Sequence, residues 1–206
     1  MWQRSLDLVL LTHPHLDHFM GFHFVKDRYH IQAFATEKLS NATPAFELFL
    51  KGFAKKNISQ QFVSAGDSWQ MGDGVEIRIV GPSQNYMERS SPGGTIGETK
   101  EFASLIMLVS YGSFKALLTG DSQAAGLEEA IALLEGEVTI VQAPHHGSAS
   151  GLTTSIIEQL SPQTAVISVG KNNYGHPTLA TLHLLQNVPI RRTDQEGDVE
   201  FVSDGY

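Results

Sequence analysis

Short apolar runs alternate with longer amphipathic segments along much of this chain. Residues 6–11 (LDLVLL) are apolar at all but one position, which predicts a buried strand. Similar runs predict strands at residues 31–36, 138–144 and 164–170. Strands that alternate with helices are typical of an α/β fold.

Between these runs, apolar residues recur at helical spacing. Helices are predicted to begin or lie within residues 18–29, 41–56, 124–136, 153–160 and 178–187. We expect Asn41 or Thr43 to cap the second of these helices, with Pro44 in its first turn. Gly136 is expected to end the third.

The middle of the chain is predicted to be rich in β-structure. Residues 67–82 have the pattern of a hairpin, and residues 102–121 that of two strands around a tight turn at Tyr111–Ser113. The Gly, Ser and Pro residues at 83–100 predict a long loop, a kind of segment that often borders a functional site. A final hairpin is predicted at residues 190–202.

Composition restricts the chemistry. The 206 residues suffice for one sizeable domain, so a single domain over residues 1–206 is expected. Cysteine is absent, which excludes disulfides and leaves His, Asp, Glu and backbone oxygen as metal ligands.

Charge and hydropathy argue against two further classes of protein, those that bind DNA through a broad positive surface and those that span a membrane. The net charge of −8 argues against stable DNA binding through a broad positive surface. No apolar run approaches the roughly 20 residues of a membrane span, and Asp7 interrupts the apolar N-terminal stretch, so no signal peptide is predicted. The chain as given is therefore expected to be soluble.

Four ionisable side chains follow the first predicted strand. His13 and His15 lie two positions apart in an extended segment, so their rings can face one point, and Asp17 and His18 follow where a helix begins. Imidazole and carboxylate groups packed this closely suit Zn, Mn, Fe or Ni. The alternative is a surface histidine cluster or a few core histidines, which is less expected for H-x-H-x-D-H at the end of a buried strand.

Two other predicted strands end in the same kind of residue. The run KALLTGD ends at Asp121, and VTIVQAPHHGS carries His145 and His146 just beyond its strand. Sites in α/β sheets collect beyond the carboxyl ends of strands. Each signal alone is weak, but three such strand ends predict one metal site.

The motif THPHLDHFMG resembles the H-x-H-x-D-H-x-x-G motif of the metallo-β-lactamase superfamily of metal-dependent hydrolases. The segments LLTGD, PHHGS, NNYGHPT and RRTDQEGDVEF also follow the order and rough spacing of the hydrolase domain of ComEC-type DNA-uptake (competence) proteins. This resemblance covers nearly the whole chain. It implies an α/β fold, specifically a four-layer βα/αβ sandwich with a dinuclear site at one edge.

Family members normally have strands and an acidic loop ahead of the first motif, which here begins at residue 12. We therefore expect the domain to lack its first N-terminal strands, as a fragment, a mis-assigned start or a shortened member would. One sheet would then expose an edge.

The resemblance also implies site residues. It assigns one divalent metal to His13 and His15, the second to Asp17 and His18, and the bridging position to Asp121. Asp17 and Asp121 are also expected to take part in catalysis.

The last ligand implied by the resemblance is His145, with the adjacent His146 as its rival. The cofactors are expected to be two divalent ions, Zn or Mn. Many superfamily members have one more histidine ligand, but no histidine lies between His30 and Asp121. Ser104 or Glu101 could occupy that edge, although we expect both to be exposed.

His176 lies in a predicted loop, YGHPT. We interpret it as an active-site residue that contacts a substrate phosphate or shuttles a proton, with a structural loop histidine as the alternative. The remaining histidines, His23, His30 and His183, are expected on helix faces or at the surface.

Two metal ions can lower the pKa of a water, polarise the bond under attack and stabilise the leaving oxygen. The resemblance points to a phosphodiesterase or nuclease that acts on single-stranded DNA during uptake, with a membrane channel outside this chain as partner. Such a protein would be cytoplasmic or on the outer face of the membrane. The alternatives are hydrolysis of a lactam, lactone or thioester, and a catalytically impaired metal-binding domain.

Overall fold

The computed structural model describes residues 4–41, 43–96, 103–132 and 134–206. Its strands are β1 (Ser5–Leu11), β2 (His30–Thr36), β3 (Ser40–Asn41), β4 (Ser59–Phe62), β5 (Ser68–Met71), β6 (Val75–Gly81), β7 (Thr95–Ile96), β8 (Ile106–Tyr111), β9 (Phe114–Leu118), β10 (Ile140–Gln142), β11 (Thr164–Ile167) and β12 (Ile190–Arg192). Its helices are α1 (Leu16–Phe19), α2 (Phe22–Arg28), α3 (Pro44–Lys55), α4 (Gln84–Ser90), α5 (Ala124–Ile131), α6 (Thr154–Leu160), α7 (Leu179–Leu184) and α8 (Thr193–Glu196).

The strands form two main sheets. A three-stranded parallel sheet has the order β1-β2-β4, and a seven-stranded sheet has the order β12-β11-β10-β9-β8-β6-β5. In the larger sheet, β9 to β12 are parallel, whereas β5, β6, β8 and β9 pair antiparallel. The short strands β3 and β7 pair separately.

Alternating side chains of β1 pack against two different layers. Val9 and Leu11 contact a cluster that includes the phenylalanines of α3, whereas Leu8 and Leu10 pack against the larger sheet. On the far side of that sheet, apolar residues of β8 to β11 pack against α5 and α6. Helices, two sheets and helices thus form four layers, which confirms the predicted sandwich.

The core beneath α3 is aromatic. Phe46, Phe49 and Phe53 are buried on one face of this helix, as their spacing predicts, and the last two contact Phe34 of β2. The rings of Phe34 and Phe53 lie 4.5 Å apart. Thr43 is the N-cap of α3, with Pro44 at its start. This packing anchors the small sheet whose strand β1 leads into the first histidine motif.

Two predicted elements are wrong. The segment predicted as a loop contains α4, because Ser83 caps the helix by accepting a 3.0 Å hydrogen bond from the amide of Tyr86, whose ring is buried against Gly126 of α5. The predicted final hairpin is instead the parallel strand β12 followed by the single helical turn α8. Ion pairs from Arg191 and Arg192 to carboxylates of α8 favour that turn.

The helix predicted to end at Gly136 ends earlier, at Ile131. Gly136 still adopts a left-handed conformation, with φ of 74°, but it lies in the connection to β10. None of the helices in the described parts of the chain is long and apolar enough to cross a bilayer.

Candidate metal centre

The first histidine motif spans the end of β1 and the first turn of α1. His15 is the N-cap of α1 and has an extended backbone, with φ of −83° and ψ of 149°. His13 and His15 therefore project from an extended stretch, and Nε2 of His13 lies 3.0 Å from Nδ1 of His15. His13 is fully buried, whereas Asp17 is exposed on α1.

Asp121 lies just beyond β9, in a tight turn that Gly120 makes possible. Gly120 has φ of 52°, and a Cβ at this position would collide with the hydroxyl of Ser104. The amide of Asp121 donates a 3.1 Å hydrogen bond to that hydroxyl, and the carboxylate is buried. The close approach of Ser104 thus positions Asp121.

His145 and His146 follow β10 in the short 3-10 turn Pro144–Gly147. Both have left-handed backbones, with φ of 50° and 57°, which is costly for residues other than glycine. The amide of His145 donates a 3.0 Å hydrogen bond to the carbonyl of Gly120, which ties this turn to the end of β9. The strained turn therefore directs two adjacent rings towards Asp121.

Four imidazole rings surround the carboxylate of Asp121. Its Oδ2 lies 3.2 Å from Nε2 of His18, 3.7 Å from Nε2 of His145 and 3.8 Å from Nε2 of His13. Its Oδ1 lies 3.8 Å from Nε2 of His146. Each approaching atom is a ring nitrogen, so the carboxylate is at the centre of a nitrogen-rich shell.

The potential ligand atoms fall into two groups with His18 in common. The first consists of His13, His18 and Asp121, and the second of Asp17, His18 and His146; within each, all ligand atoms lie within 4.8 Å of one another. Asp17 Oδ2 is 3.8 Å from His18 Nε2 and 4.0 Å from His146 Nε2.

Burial and neighbouring charges set the protonation states. Burial, followed by the charge of His18, lowers the pKa of His13 to about 2, and burial also lowers the pKa of His15. Burial alone would raise the pKa of Asp121, but His18, His13 and His145 lower it to about 2. At neutral pH, His13 and His15 are thus neutral and Asp121 is ionised, which are the forms that bind divalent metals.

The pKa of His18 changes in the other direction. Burial would lower it, but the adjacent Asp121 and Asp17 raise it. Nε2 of His18 is buried and forms no hydrogen bond with any described residue, although it lies 3.2 Å from Asp121. A cation shared by these atoms would satisfy both groups, so this donor set fits a divalent metal.

His146 has the hydrogen bonding typical of a metal ligand. Its Nδ1 lies 2.8 Å from the carbonyl of Ser168, which can only accept, so Nδ1 carries the proton and the lone pair of the neutral ring lies on Nε2. Nε2 faces Asp17 and Asp121. Nδ1 of His145, by contrast, lies 3.4 Å from the side-chain amide nitrogen of Gln123.

Ser104 is buried, contrary to the prediction that it is exposed. It precedes β8 at the site edge, where its hydroxyl lies 3.4 Å from Nδ1 of His13, and the hydroxyl of Thr12 lies 3.1 Å from the same atom. Glu101, the other residue considered for this position, lies outside the described residues.

A cleft of about 630 Å³ opens from these ligands to the solvent. It is lined by His15, Leu16, Asp17, Met20, Asp121, His145, His146, Tyr174 and His176. The ring of His176 lies 5.6 Å from that of His145, and its Nδ1 is buried without a hydrogen bond to the described residues. Burial, followed by the charges of His145 and His146, lowers the pKa of His176.

The other histidines lie elsewhere. His23 packs edge-on against Phe49, with ring centroids 5.7 Å apart, and His30 and His183 are exposed. Sequence reasoning missed Ser168 and Gln123 because a carbonyl and a side-chain amide that contact the rings of His146 and His145 have no motif of their own. It also missed Tyr174, although this residue lies two positions before His176 in the same loop.

Comparisons with known proteins agree with this architecture. The family profile of the metallo-beta-lactamase superfamily matches residues 3–171. The chain is 29% identical to ComE operon protein 3 of Bacillus subtilis over 202 residues, which is 96% of this chain and 25% of that protein. It is 26% identical over 208 residues to competence protein ComA of Neisseria gonorrhoeae, with the same two coverages of 96% and 25%. The chain therefore spans about a quarter of the length of these relatives.

The crystal structure of CmlA, a diiron beta-hydroxylase from Streptomyces venezuelae, has a similar fold. Its TM-score is 0.59 at 15% identity, and the match covers 93% of this chain and 44% of CmlA. At this identity, only the fold is shared. The family match, the sandwich and the relatives of the ComEC type together show that this chain belongs to the metallo-β-lactamase superfamily.

Proposed function

We propose that this chain is a metal-dependent phosphodiesterase that cleaves single-stranded DNA as part of a ComEC-type uptake protein. The observation that carries the proposal is the convergence of four imidazoles on the buried carboxylate of Asp121, at the base of an open cleft. A coarser statement, that the chain has the fold of a metal-dependent hydrolase superfamily, follows from the family match.

The ligands divide between two divalent ions in this proposal. His13 and His15 would hold one ion, because their ring nitrogens approach each other from the end of β1. Asp17 and His18 would hold the second, and Asp121 would be available to both.

For the remaining ligand we favour His146 over His145. The carbonyl of Ser168 fixes the His146 ring with Nε2 available as a ligand. His145 then faces the substrate side of Asp121, near His176. Zn and Mn both suit imidazole and carboxylate ligands.

When bound, the two ions would supply a water of lowered pKa as nucleophile and would stabilise the leaving oxygen. The chain's own residues do the rest. Asp121 is kept ionised and is held in place by Ser104. His176 borders the cleft beside His145 and would present a ring nitrogen to a phosphate oxygen, which would orient the diester.

The substrate class rests on charge and on the relatives. A phosphodiester is an anion that complements two cations and imidazole N–H donors. The similar chains include a competence protein. With a net charge of −8, this chain would need its strands delivered by a partner, for which we propose a membrane channel in the remaining three quarters of such a protein. The hydrolase would then be cytoplasmic or lie on the outer face of the membrane.

Hydrolysis of a single-stranded oligonucleotide and of bis(p-nitrophenyl) phosphate, with Mn²⁺ or Zn²⁺ added, tests this function. Asp121→Asn keeps the shape of the side chain but removes its charge, and His15→Ala removes one ring. Both variants are expected to abolish metal-dependent turnover of both substrates.

The matched controls are Asp198→Asn and His183→Ala, which change exposed residues outside the cleft and should retain activity. Absence of turnover in a folded wild-type chain that binds metal would refute the phosphodiesterase. Turnover of a lactam, lactone or thioester instead would establish the alternative hydrolase.

A further inference from the structure

Tyr174 exposes its aromatic ring at the mouth of the cleft. It is 84% exposed, yet it lines the same cleft as Asp121, His145 and His176. What sets Tyr174 apart from other exposed side chains is its place at this cleft, where its ring is available to a ligand that enters.

One side chain, that of Asn172, forms four hydrogen bonds within the loop that carries Tyr174. The side-chain oxygen Oδ1 of Asn172 accepts hydrogen bonds from the main-chain amides of Tyr174 and His176, at 3.0 and 3.1 Å. Its side-chain nitrogen Nδ2 donates to the main-chain carbonyls of Gly170 and His176, at 2.9 and 2.8 Å. All four hydrogen bonds are local, so the loop presents Tyr174 at little further cost in entropy.

The same loop is hydrogen-bonded to the turn Pro144–Gly147, which carries His145 and His146. The amide of Thr178 donates a 3.0 Å hydrogen bond to the carbonyl of Gly147, and a Cβ on Gly147 would lie 2.7 Å from Pro177. The position of Tyr174 is thus coupled to that of His145 and His146.

A row of aromatic rings extends from the candidate metal site to the solvent. The rings of His145 and His176 lie 5.6 Å apart, and those of His176 and Tyr174 lie 6.2 Å apart with planes only 20° from parallel. The apolar side chains of Leu16 and Met20 line the same cleft and are also exposed. A flat group that enters the cleft beside the phosphate site would therefore meet a ring face and an apolar wall.

We propose that Tyr174 is a stacking platform for the nucleobase next to the scissile phosphodiester, and that it gives the site its preference for single strands. This inference rests on the proposed function. Base stacking on an aromatic ring is independent of sequence and requires a base whose face is uncovered, as in a single strand. In a chain with a net charge of −8, stacking also supplies affinity that phosphate contacts cannot.

Binding of a single-stranded oligonucleotide that carries 2-aminopurine, measured by fluorescence with the metal chelated, tests the platform without turnover. Tyr174→Ala is expected to weaken binding by about tenfold and to abolish quenching of the base, whereas Tyr174→Trp retains both. An abasic oligonucleotide of equal length should bind equally to the wild type and to Tyr174→Ala. Tyr206→Ala, which alters a fully exposed tyrosine outside the cleft, is the matched control.

In steady-state kinetics, Tyr174→Ala is expected to have a raised KM for single-stranded DNA and a kcat that is little changed. Its turnover of the abasic strand should equal that of the wild type. Equal losses on both strands, or none on either, would overturn the platform. If the wild type cleaves both strands but shows no base-dependent binding, stacking fails and the phosphodiesterase stands. If no diester is cleaved, the phosphodiesterase fails, and the quenching measurement still decides whether Tyr174 stacks.

Discussion

His146 donates a 2.8 Å hydrogen bond from Nδ1 to the main-chain carbonyl of Ser168, at the end of β11. This contact links the strand that follows α6 to a ring in the strained turn after β10. Because it leaves Nε2 unprotonated in the neutral ring, it distinguishes two adjacent histidines that the sequence motif cannot.

The first prediction concerns metal stoichiometry. If the site holds two divalent ions as proposed, His146→Ala should weaken binding of one of them by about tenfold or more, since it removes a proposed ligand. His145→Ala should leave two ions bound. Equilibrium dialysis with Zn²⁺ or Mn²⁺ followed by elemental analysis measures both, with His183→Ala as the control. Loss of an ion in His145→Ala but not in His146→Ala would reverse the assignment.

The second prediction concerns Glu37, which follows β2. Both of its carboxylate oxygens are buried and have no hydrogen bond to the described residues, and burial raises its pKa from 4.5 to about 8. Between these values the folded chain binds a proton that the unfolded chain has released. The contribution of Glu37 to stability is therefore lost as the pH rises, by up to about 1.4 kcal/mol per pH unit.

Glu37→Gln should remove this dependence, so the variant gains in stability over the wild type between about pH 5 and about pH 8. Urea unfolding at several pH values measures the effect, and Glu200→Gln, at an exposed position, is the control. If the free energies of unfolding of the wild type and Glu37→Gln change in parallel with pH, Glu37 is ionised at no cost in stability, which would contradict the prediction.

The third prediction concerns the turn that presents Asp121. Gly120→Ala would force a Cβ into Ser104 and Thr12 and would strain a backbone with φ of 52°. We expect a loss of about 1–3 kcal/mol in stability, together with weaker metal binding. Gly170→Ala is the control, because a Cβ there has open space. Thermal unfolding with and without metal measures both effects; equal behaviour of the two variants would contradict the prediction.

The fourth prediction concerns the aromatic core. Phe49 is fully buried and its ring lies 4.9 Å from that of Phe53, so Phe49→Ala should lower the free energy of unfolding by about 3–5 kcal/mol. The adjacent Leu48 is 64% exposed on the same helix, and Leu48→Ala should change stability by only about 0.5 kcal/mol. Denaturant unfolding compares the two; similar losses would mean that α3 does not pack as described.

Much of the fold was predictable from sequence, because the elements concerned bury one face and keep a regular apolar spacing. β1, β2 and α3 are examples. The errors lie where another element decides the outcome. By its sequence the segment with α4 resembles a loop, but the packing of Tyr86 on Gly126 favours a helix there. Residues 190–202 resemble a hairpin, but β12 pairs with β11 instead.

By itself, the sequence determined which potential ligand types are present and that they follow the ends of three strands, since H-x-H-x-D-H, Asp121 and the paired histidines are local patterns. Only the tertiary structure decided how closely they approach, because the distance between strand ends depends on the pairing of β9 with β10 and on how the two sheets pack. It also decided the burial of Ser104 and the orientation of His146, because their partners, Asp121 and Ser168, come from distant parts of the chain.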